Sequence, residues 1–371
     1  MRSLAVCKLG RVEYRDGVRL MELAADRVRS NDPPGTDWLF LLEHPPVITL
    51  GRGARSQNVL AAPDWLERQG FEVHETDRGG DVTYHGPGQL VGYPVLDLAG
   101  RPDVRRFVSD LEEAMIRTCS DWEIAATRHP VHRGAWVGRR KIGAIGVHLS
   151  RWISTHGLAF NVAPDLAHFE AIVPCGIAEP GVGVTSLMAE RTMRGLPAPA
   201  PSEVEERLAF HLADVLGRRR EDHAIDLRTV SVVPLGEDGR VLLLRRHDRR
   251  GGFWQQVTGR IEPGEASAEA ARRELREETG ADAPVIDLGY RHGFALEPGL
   301  LPGPPGIRLV EETAFAARLP AGFRPTLGDE HAEAEWCAPG EAVARVRFAG
   351  LKRAIRLAAA LRSGPPQALG A

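Results

Sequence analysis

Gly259 to Ala281 reads GRIEPGEASAEAARRELREETGA, a glycine-punctuated loop running into a polar helix expected over about Ser267 to Thr279. Glu274, Glu277 and Glu278 are spaced i, i+3 and i+4 and therefore share one face of that helix. Three like charges on adjoining turns destabilise a bare helix, and the cost makes sense if a divalent cation sits among them. Carboxylate oxygens are hard ligands that suit Mg2+ or Mn2+. Arg273, next to the cluster, can orient one carboxylate through a bidentate pair. Gly259 and Gly264 let the preceding loop turn tightly, bringing backbone carbonyls near the metal. The ordinary reading of a Glu-rich helix is a solvated surface held by Arg–Glu pairs. The glycine spacing and the loop-to-helix context set that reading aside.

Working outward, Thr229 to Leu235 and Val241 to Leu244 alternate as strands around a turn at Gly236 to Gly239, a hairpin. Val343 to Leu361 reads as a further helix. The fixed positions G-x5-E-x7-R-E-U-x-E-E-x-G-U run unbroken from Gly259 to Gly280, with Ala281 a weak member of the final apolar class. This stretch resembles the Nudix box. The resemblance implies metal binding by Glu274, Glu277 and Glu278, with Glu265 and Arg273 in support, and hydrolysis of a nucleoside diphosphate linked to another group. Phe253 to Gly259 (FWQQVTG) and the pair Glu330-His331 followed by Trp336 resemble the dihydroneopterin triphosphate (dATP) pyrophosphatase branch, which makes Glu330 a further candidate ligand. Arg245 and Arg246, at the end of the second strand, could meet phosphate or simply form a solvated strand end. A nucleotide-sensing module without hydrolysis is the alternative for this half.

In the first half, Arg78 to Pro94 reads RGGDVTYHGPGQLVGYP. Two tight glycine turns flank a short strand and leave backbone open to close approach by a ligand. A Gly/Pro-rich hairpin needs such residues in any case, but RGG, TYH and GPGQ in one run is a specific combination. The same half carries EHPPVITLGR (Glu43 to Arg52), RRKIGAIG (Arg139 to Gly146), HGLAFN (His156 to Asn161), IVPCGI (Ile172 to Ile177) and GVTSL (Gly183 to Leu187). Together these resemble the lipoyl(octanoyl) transferase family over about residues 1–217. The resemblance implies the fold of the biotin and lipoate ligases. It also implies octanoyl-acyl carrier protein as donor, and as acceptors the lipoyl domains of 2-oxoacid dehydrogenases and the glycine cleavage H protein. By position, acyl chain and substrate lysine lie along Arg78, Gly79, Gly80, Asp81, Val82, Thr83, Tyr84 and His85, and along Ala144, Ile145, Gly146, Gly157, Leu158 and Ala159. Small residues there leave a groove for an eight-carbon chain.

Two residues within these motifs, Cys175 and Lys141, are singled out by the resemblance, and the chemistry of the transfer supports them. A cysteine can accept an acyl group from one thioester as another at little change in bond energy, so a double displacement divides the transfer into two easier steps. Cys175 sits between Pro174 and Gly176, in a loop where a thiol can be exposed. Lys141 lies 34 residues earlier, at the start of a strand. A neighbouring ammonium favours a thiolate, and a partly desolvated lysine can pass a proton on. The expectation is that Lys141 pairs with Cys175, takes its proton and returns it to the leaving thiol. Buried packing is the ordinary role of a cysteine, and it is assigned to Cys7, Cys119 and Cys337. An ATP-dependent ligase of the same fold is the alternative, but it has no need of a Cys–Lys pair. No cofactor is expected in this half.

The whole chain is consistent with these halves. Its 371 residues suffice for two cores, and a net charge of −3 gives no bulk attraction for nucleic acid. The four cysteines are scattered, without disulfide or zinc spacing. The opening MRSLAVCKLG is too short in apolar residues for a secretory segment, and no run of about 18 apolar residues marks a membrane span. A soluble, cytoplasmic protein is expected. Leu196 to Pro201 is a Pro-rich connector, Ser202 and Glu205 read as a capping box, and the helix they open ends near Leu216. The charged run from Gly217 breaks the pattern. The expected architecture is α+β: a biotin/lipoate-ligase-like mixed sheet with helices over 1–217, a linker over 218–226 and a Nudix α/β/α sandwich over 227–371.

Overall fold

The computed structural model describes residues 1–177, 179–296 and 306–361. The chain forms two compact units, Met1–Ala224 and Ile225–Ala371. Strands of the first unit are β1 (Ser3–Arg11), β2 (Thr36–Glu43), β3 (Val47–Leu50), β4 (Glu72–Glu75), β5 (Val82–His85), β6 (Gln89–Val95), β7 (Thr127–Arg128), β8 (Ala135–Val137), β9 (Arg140–Ser150), β10 (Ile153–Asn161), β11 (Gly183–Val184) and β12 (Arg219–His223). Its helices are α1 (Tyr14–Ser30), α2 (Pro63–Arg68), α3 (Val104–Asp121), α4 (Leu187–Thr192) and α5 (Pro201–Val215). A mixed sheet runs β12-β1-β2-β6-β10-β9-β8-β7 with β11 alongside β9, and β4-β3-β5 form a second, small sheet. Alternation along the strands sends Leu4, Val6, Leu39 and Leu41 into one core with Leu111 and Met115 of α3 and Leu208 and Leu212 of α5. Helix α1 contacts β2, β6 and β10 and buries Leu20, Met21, Ala24 and Val28.

Two expectations for this unit change. Residues 219–223, read as linker, form β12 and pair in parallel with β1 from Ser3 to Cys7. The charges that suggested a break are neutralised in place: Arg220 binds Glu206 and Asp222, and Arg218 binds the fully buried Asp37 at 2.6 Å. Helix α5 starts at Pro201 with Ala200 as its N-cap rather than at Ser202. Proline's fixed φ suits the first helical position, and Glu205 is left half-buried along the helix, its carboxyl pushed up to about 7 by desolvation, instead of closing a capping box.

The second unit contains β13 (Leu227–Gly236), β14 (Val241–Arg246), β15 (Trp254–Gln255), β16 (Val257–Arg260), β17 (Val285–Ala295), β18 (Leu309–Leu319) and β19 (His331–Cys337), with α6 (Ser267–Thr279), α7 (Pro339–Arg345) and α8 (Ala349–Ala359). The strand order β15-β14-β13-β18-β17, with β16 on β13 and β19 on β14, makes one sheet whose two faces follow the period of two. Val230, Val232, Leu242 and Leu244 pack on Leu275 of α6, while Val233, Leu243 and Tyr290 pack on Ala354 and Ile355 of α8. This is the α/β/α sandwich expected. The helix read over Val343 to Leu361 is broken. Val346 is extended (φ −72°, ψ 137°) and bridges to Trp254, because burying Val346 against β15 outweighs continuing the helix. Among the described residues no helix is long and apolar enough to cross a membrane.

Candidate functional site

The turn that carries Cys175 is held by the segment before β4 and β5. Val173 donates to the Asn58 carbonyl at 2.8 Å, and Gly176 donates to the Val173 carbonyl at 2.9 Å. Cys175 adopts left-handed backbone (φ 56°, ψ 19°), and Gly176 follows at φ 66°. A β-carbon at Gly176 would run into the Asp81 carboxylate, so only glycine fits the second position. Asp81 accepts from the Asn58 amide at 2.7 Å and from its neighbour's Val82 N–H at 2.6 Å, buttressing the turn from below.

Lys141 enters from β9. After the cysteine turn the chain returns as β11 beside Lys141, and Thr185 donates to the Lys141 carbonyl at 3.0 Å. The lysine is 8 % exposed. Its ammonium lies 5.0 Å from the Trp136 ring centroid and donates to Cys175 Sγ at 3.3 Å. The pair separated by 34 residues is thus in hydrogen-bond reach.

Both residues line a cavity of about 320 Å3, together with Arg78, Gly80, Asp81, Val82, Thr83 and His85. Ala144, Ile145, Gly146, Gly157, Leu158 and Ala159 line it as well. Two of the sequence-derived residues stand apart from this lining. Tyr84 points the other way and meets His168 Nδ1 at 2.8 Å. Gly79 ties its loop to β9, donating to the Val147 carbonyl at 3.0 Å. The glycines do more than leave space: a β-carbon on Gly157 would overlap the Gly92 carbonyl, so Gly157 is needed for β6 and β10 to approach. Tyr14, Tyr93, His132 and His156 also line the cavity. The motifs quoted above contain Tyr93 and His156, but nothing in their spacing separates a wall residue from a packing residue.

Arg78 is 7 % exposed, and its guanidinium donates to neutral acceptors: the Thr49 carbonyl and hydroxyl and the Gly79 carbonyl. Its charge therefore remains available to the cavity. The histidines beneath are uncharged. Burial pushes His44 down to about 4 and His85 down to about 3. His44 Nδ1 faces the Val12 carbonyl at 2.7 Å, so its Nε2 accepts from the Tyr93 hydroxyl at 2.7 Å. His85 bonds Gln89 Oε1 at 2.6 Å, and Gln89 donates to Asn161 at 2.9 Å. The polar residues of HGPGQ and HGLAFN thus satisfy one another beneath the cavity. Both histidine values lie below the unfolded value near 6.5, so between these limits the unfolded chain binds protons that the folded one refuses. Stability is expected to be full above pH 6.5 and to fall as pH drops toward 4 and below, read as the urea midpoint against pH. His44→Asn should flatten the part of that slope above pH 4.

In the second unit, Arg273 grips Glu265 through both arms (2.9 and 3.0 Å) and also reaches Glu274 at 2.7 Å and Glu277 at 3.3 Å. A β-carbon on Gly259 would overlap the Glu274 carboxyl, which explains the glycine that opens the motif. The loop before β19 closes on the end of α6 through Thr326 N–H to the Thr279 carbonyl at 2.8 Å. It presents Glu330, held by Arg246 at 2.7 Å and Arg250 at 2.6 Å. Glu278 is 7 % exposed, and one of its carboxylate oxygens has no hydrogen-bond partner. Burial, with Glu274 and Glu330 nearby, drives its carboxyl well above the usual range. An unsatisfied buried acceptor among like charges is the setting a divalent cation relieves, so these residues fit Mg2+ or Mn2+. Arg245 and Arg246 are engaged by Glu333, Asp248 and Glu330. Among the described residues, Glu335, Cys337 and Glu341 bring ligand atoms within 4.8 Å of one another, but Arg345 reaches all three and acts as their cation.

Residues 13–212 match the lipoyl protein ligase A/B catalytic domain, and residues 226–358 match the NUDIX domain. The chain belongs to the lipoyl protein ligase A/B catalytic family and carries a Nudix hydrolase domain after it. It is similar to the octanoyltransferase of Myxococcus xanthus, 48% identical over 370 residues, covering 97% of this chain and all of that one. The octanoyltransferase of Solibacter usitatus is 49% identical over 217 residues, 58% of this chain and 94% of that one. These octanoyltransferase homologues mark the chain as an acyltransferase of lipoate biosynthesis. Among solved structures, the E. coli dihydroneopterin triphosphate pyrophosphohydrolase aligns with 36% of this chain and 96% of its own, at 29% identity and a TM-score of 0.33. A putative lipoate protein ligase from T. acidophilum aligns with 61% and 89%, at 16% identity and a TM-score of 0.47.

Proposed function

We propose that the first unit moves an octanoyl group from octanoyl-acyl carrier protein to a lysine of lipoyl domains, through a thioester on Cys175. The observation that carries this reading is the 3.3 Å contact between Lys141 Nζ and Cys175 Sγ at the cavity. The Cys175 thiolate, with Lys141 holding its proton, attacks the donor carbonyl carbon. The carbon–sulfur bond to the carrier's thiol breaks, and Lys141 returns the proton to that leaving sulfur. The acceptor lysine's amine then attacks the Cys175 thioester and gives its surplus proton to Lys141, and Sγ departs as thiolate. Arg78, which keeps its charge throughout and lines the cavity, is the group that offsets the charge gained by the carbonyl oxygen in both steps. The acyl chain lies between the loop 78–85 and the β9–β10 pair, over uncharged His44 and His85.

The catalytic domain in this reading extends through β12, and the Nudix domain begins with β13. Four free cysteines suit a reducing cytoplasm. For the second unit the proposal is hydrolysis of a nucleoside or pterin triphosphate. Glu274, Glu277, Glu278 and Glu330 would hold Mg2+ or Mn2+, which supplies charge neutralisation on phosphate and a more acidic water. Arg273 fixes the direction of Glu274 and Glu277, and Arg246 and Arg250 fix Glu330.

No step of the acyl transfer consumes a nucleotide, which separates this reading from an ATP-dependent ligase. Purified protein, octanoyl-acyl carrier protein and a lipoyl domain should yield octanoylated domain by mass spectrometry without ATP. Product that appears only when ATP is added overturns the proposal.

A further inference from the structure

A second cavity, of about 510 Å3, lies beside the first, between α1 and the β9–β10 hairpin. The two cavities have two lining residues in common, Tyr14 and His156. We infer that the Tyr14–His156 pair is the end wall of the acyl site, and that it sets the longest chain Cys175 can accept. The inference rests on the reading above, in which Cys175 carries the acyl group.

The register of β9 and β10 puts the wall at the far end. His156 pairs with Val147, six residues along β9 from Lys141. At about 3.3 Å per residue that is about 20 Å of strand. This spans the catalytic side chains and a medium-length chain laid end to end, with little to spare. The wall is fixed on both sides. His156 Nε2 meets Asp77 Oδ1 at 2.8 Å, and the backbone N–H of His156 donates to Met21 Sδ at 3.0 Å. The His156 ring stands perpendicular to Tyr93, with centroids 6.2 Å apart. Tyr14 stacks on His74 at 5.0 Å and meets His44 edge-on at 5.3 Å. Beyond the wall, Val18, Met21 and Ala25 continue from Tyr14 along one stripe of α1 and line the second cavity with Ile153, while charged side chains such as Arg19, Glu22 and Asp77 line the rest of it. A longer chain would therefore find an apolar strip beside charged residues there if the wall were removed.

His156 has left-handed backbone (φ 57°). Glycine relaxes that conformation and asparagine tolerates it, so His156→Gly and His156→Asn remove all or part of the wall without backbone strain. The test is competition between octanoyl and dodecanoyl thioesters of acyl carrier protein, read as the mass of the adduct on Cys175. Wild-type protein should take the dodecanoyl group at least about tenfold more slowly than the octanoyl group. His156→Gly should raise the dodecanoyl-to-octanoyl ratio about tenfold or more, and His156→Asn by less. Val18→Phe placed on top of His156→Gly should reverse the gain by filling the second cavity. Equal acceptance of both chains by wild type overturns the inference, as does an unchanged ratio in the folded variants. His156→Asn supplies that reading should the glycine variant not fold. Absence of any octanoyl adduct on wild-type Cys175 instead defeats the underlying transfer mechanism.

Discussion

Cys175→Ala should lower octanoyl transfer by at least about a thousandfold, because the single-step alternative gives up both the activated sulfur and the covalent intermediate. The loss should fall on turnover, with the octanoylated enzyme absent from the mass spectrum. The turn itself should survive. It is held by Asn58, Asp81 and backbone bonds around Val173 and Gly176, none of which uses the sulfur. Lys141→Arg sharpens the result. Arginine keeps a positive charge near the sulfur but does not release a proton at neutral pH, so transfer should collapse although the charge remains. Transfer by Cys175→Ala at the wild-type rate would mean that the donor carbonyl is attacked directly by the acceptor lysine.

Glu278→Gln should reduce metal-dependent nucleotide hydrolysis by about a thousandfold, the scale set by losing a charged ligand where charge stabilisation supplies several kcal/mol. The same change should make the metal-free protein no less stable. The wild-type carboxylate is buried with an unpartnered oxygen beside Glu274 and Glu330, and removing its charge relieves that repulsion. Thermal unfolding separates the two effects. Mg2+ should raise the melting temperature of wild type, since a ligand that binds only the folded state stabilises it, and should leave Glu278→Gln unmoved. Glu277, whose side chain is 55% exposed, should show a similar loss of hydrolysis on Glu277→Gln with less change in metal-free stability. Hydrolysis of a nucleotide panel by Glu278→Gln at wild-type rates would remove this helix from the chemistry.

Much of the molecule was legible as pattern. The helix of Glu274, Glu277 and Glu278 begins and ends where its loop and its Gly280 predict, and the alternation at Val230 to Leu235 sorts the two faces of the second sheet. Elements governed by partners distant in sequence were not. The run 218–223 looks like a charged linker until β1 offers its strand an edge and Glu206 and Asp37 offer its arginines counter-charges. The last helix breaks at Val346 because Trp254 lies across from it, and neither residue announces the other. The strongly coded glycines Gly176 and Gly259 were visible, but the carboxylates that require them, Asp81 and Glu274, were not visible as their reasons.

The sequence by itself determined the two kinds of unit and the residues capable of chemistry, because turn glycines, helical spacing and residue type act locally and can be read along the chain. Tertiary structure alone decided that Lys141 meets Cys175, that Tyr84 and Gly79 stand outside the cavity lining while Tyr14 and His156 line it, and that His44 and His85 stay neutral. Those outcomes depend on burial and on contacts between strands far apart in sequence, and desolvation has no one-dimensional signature.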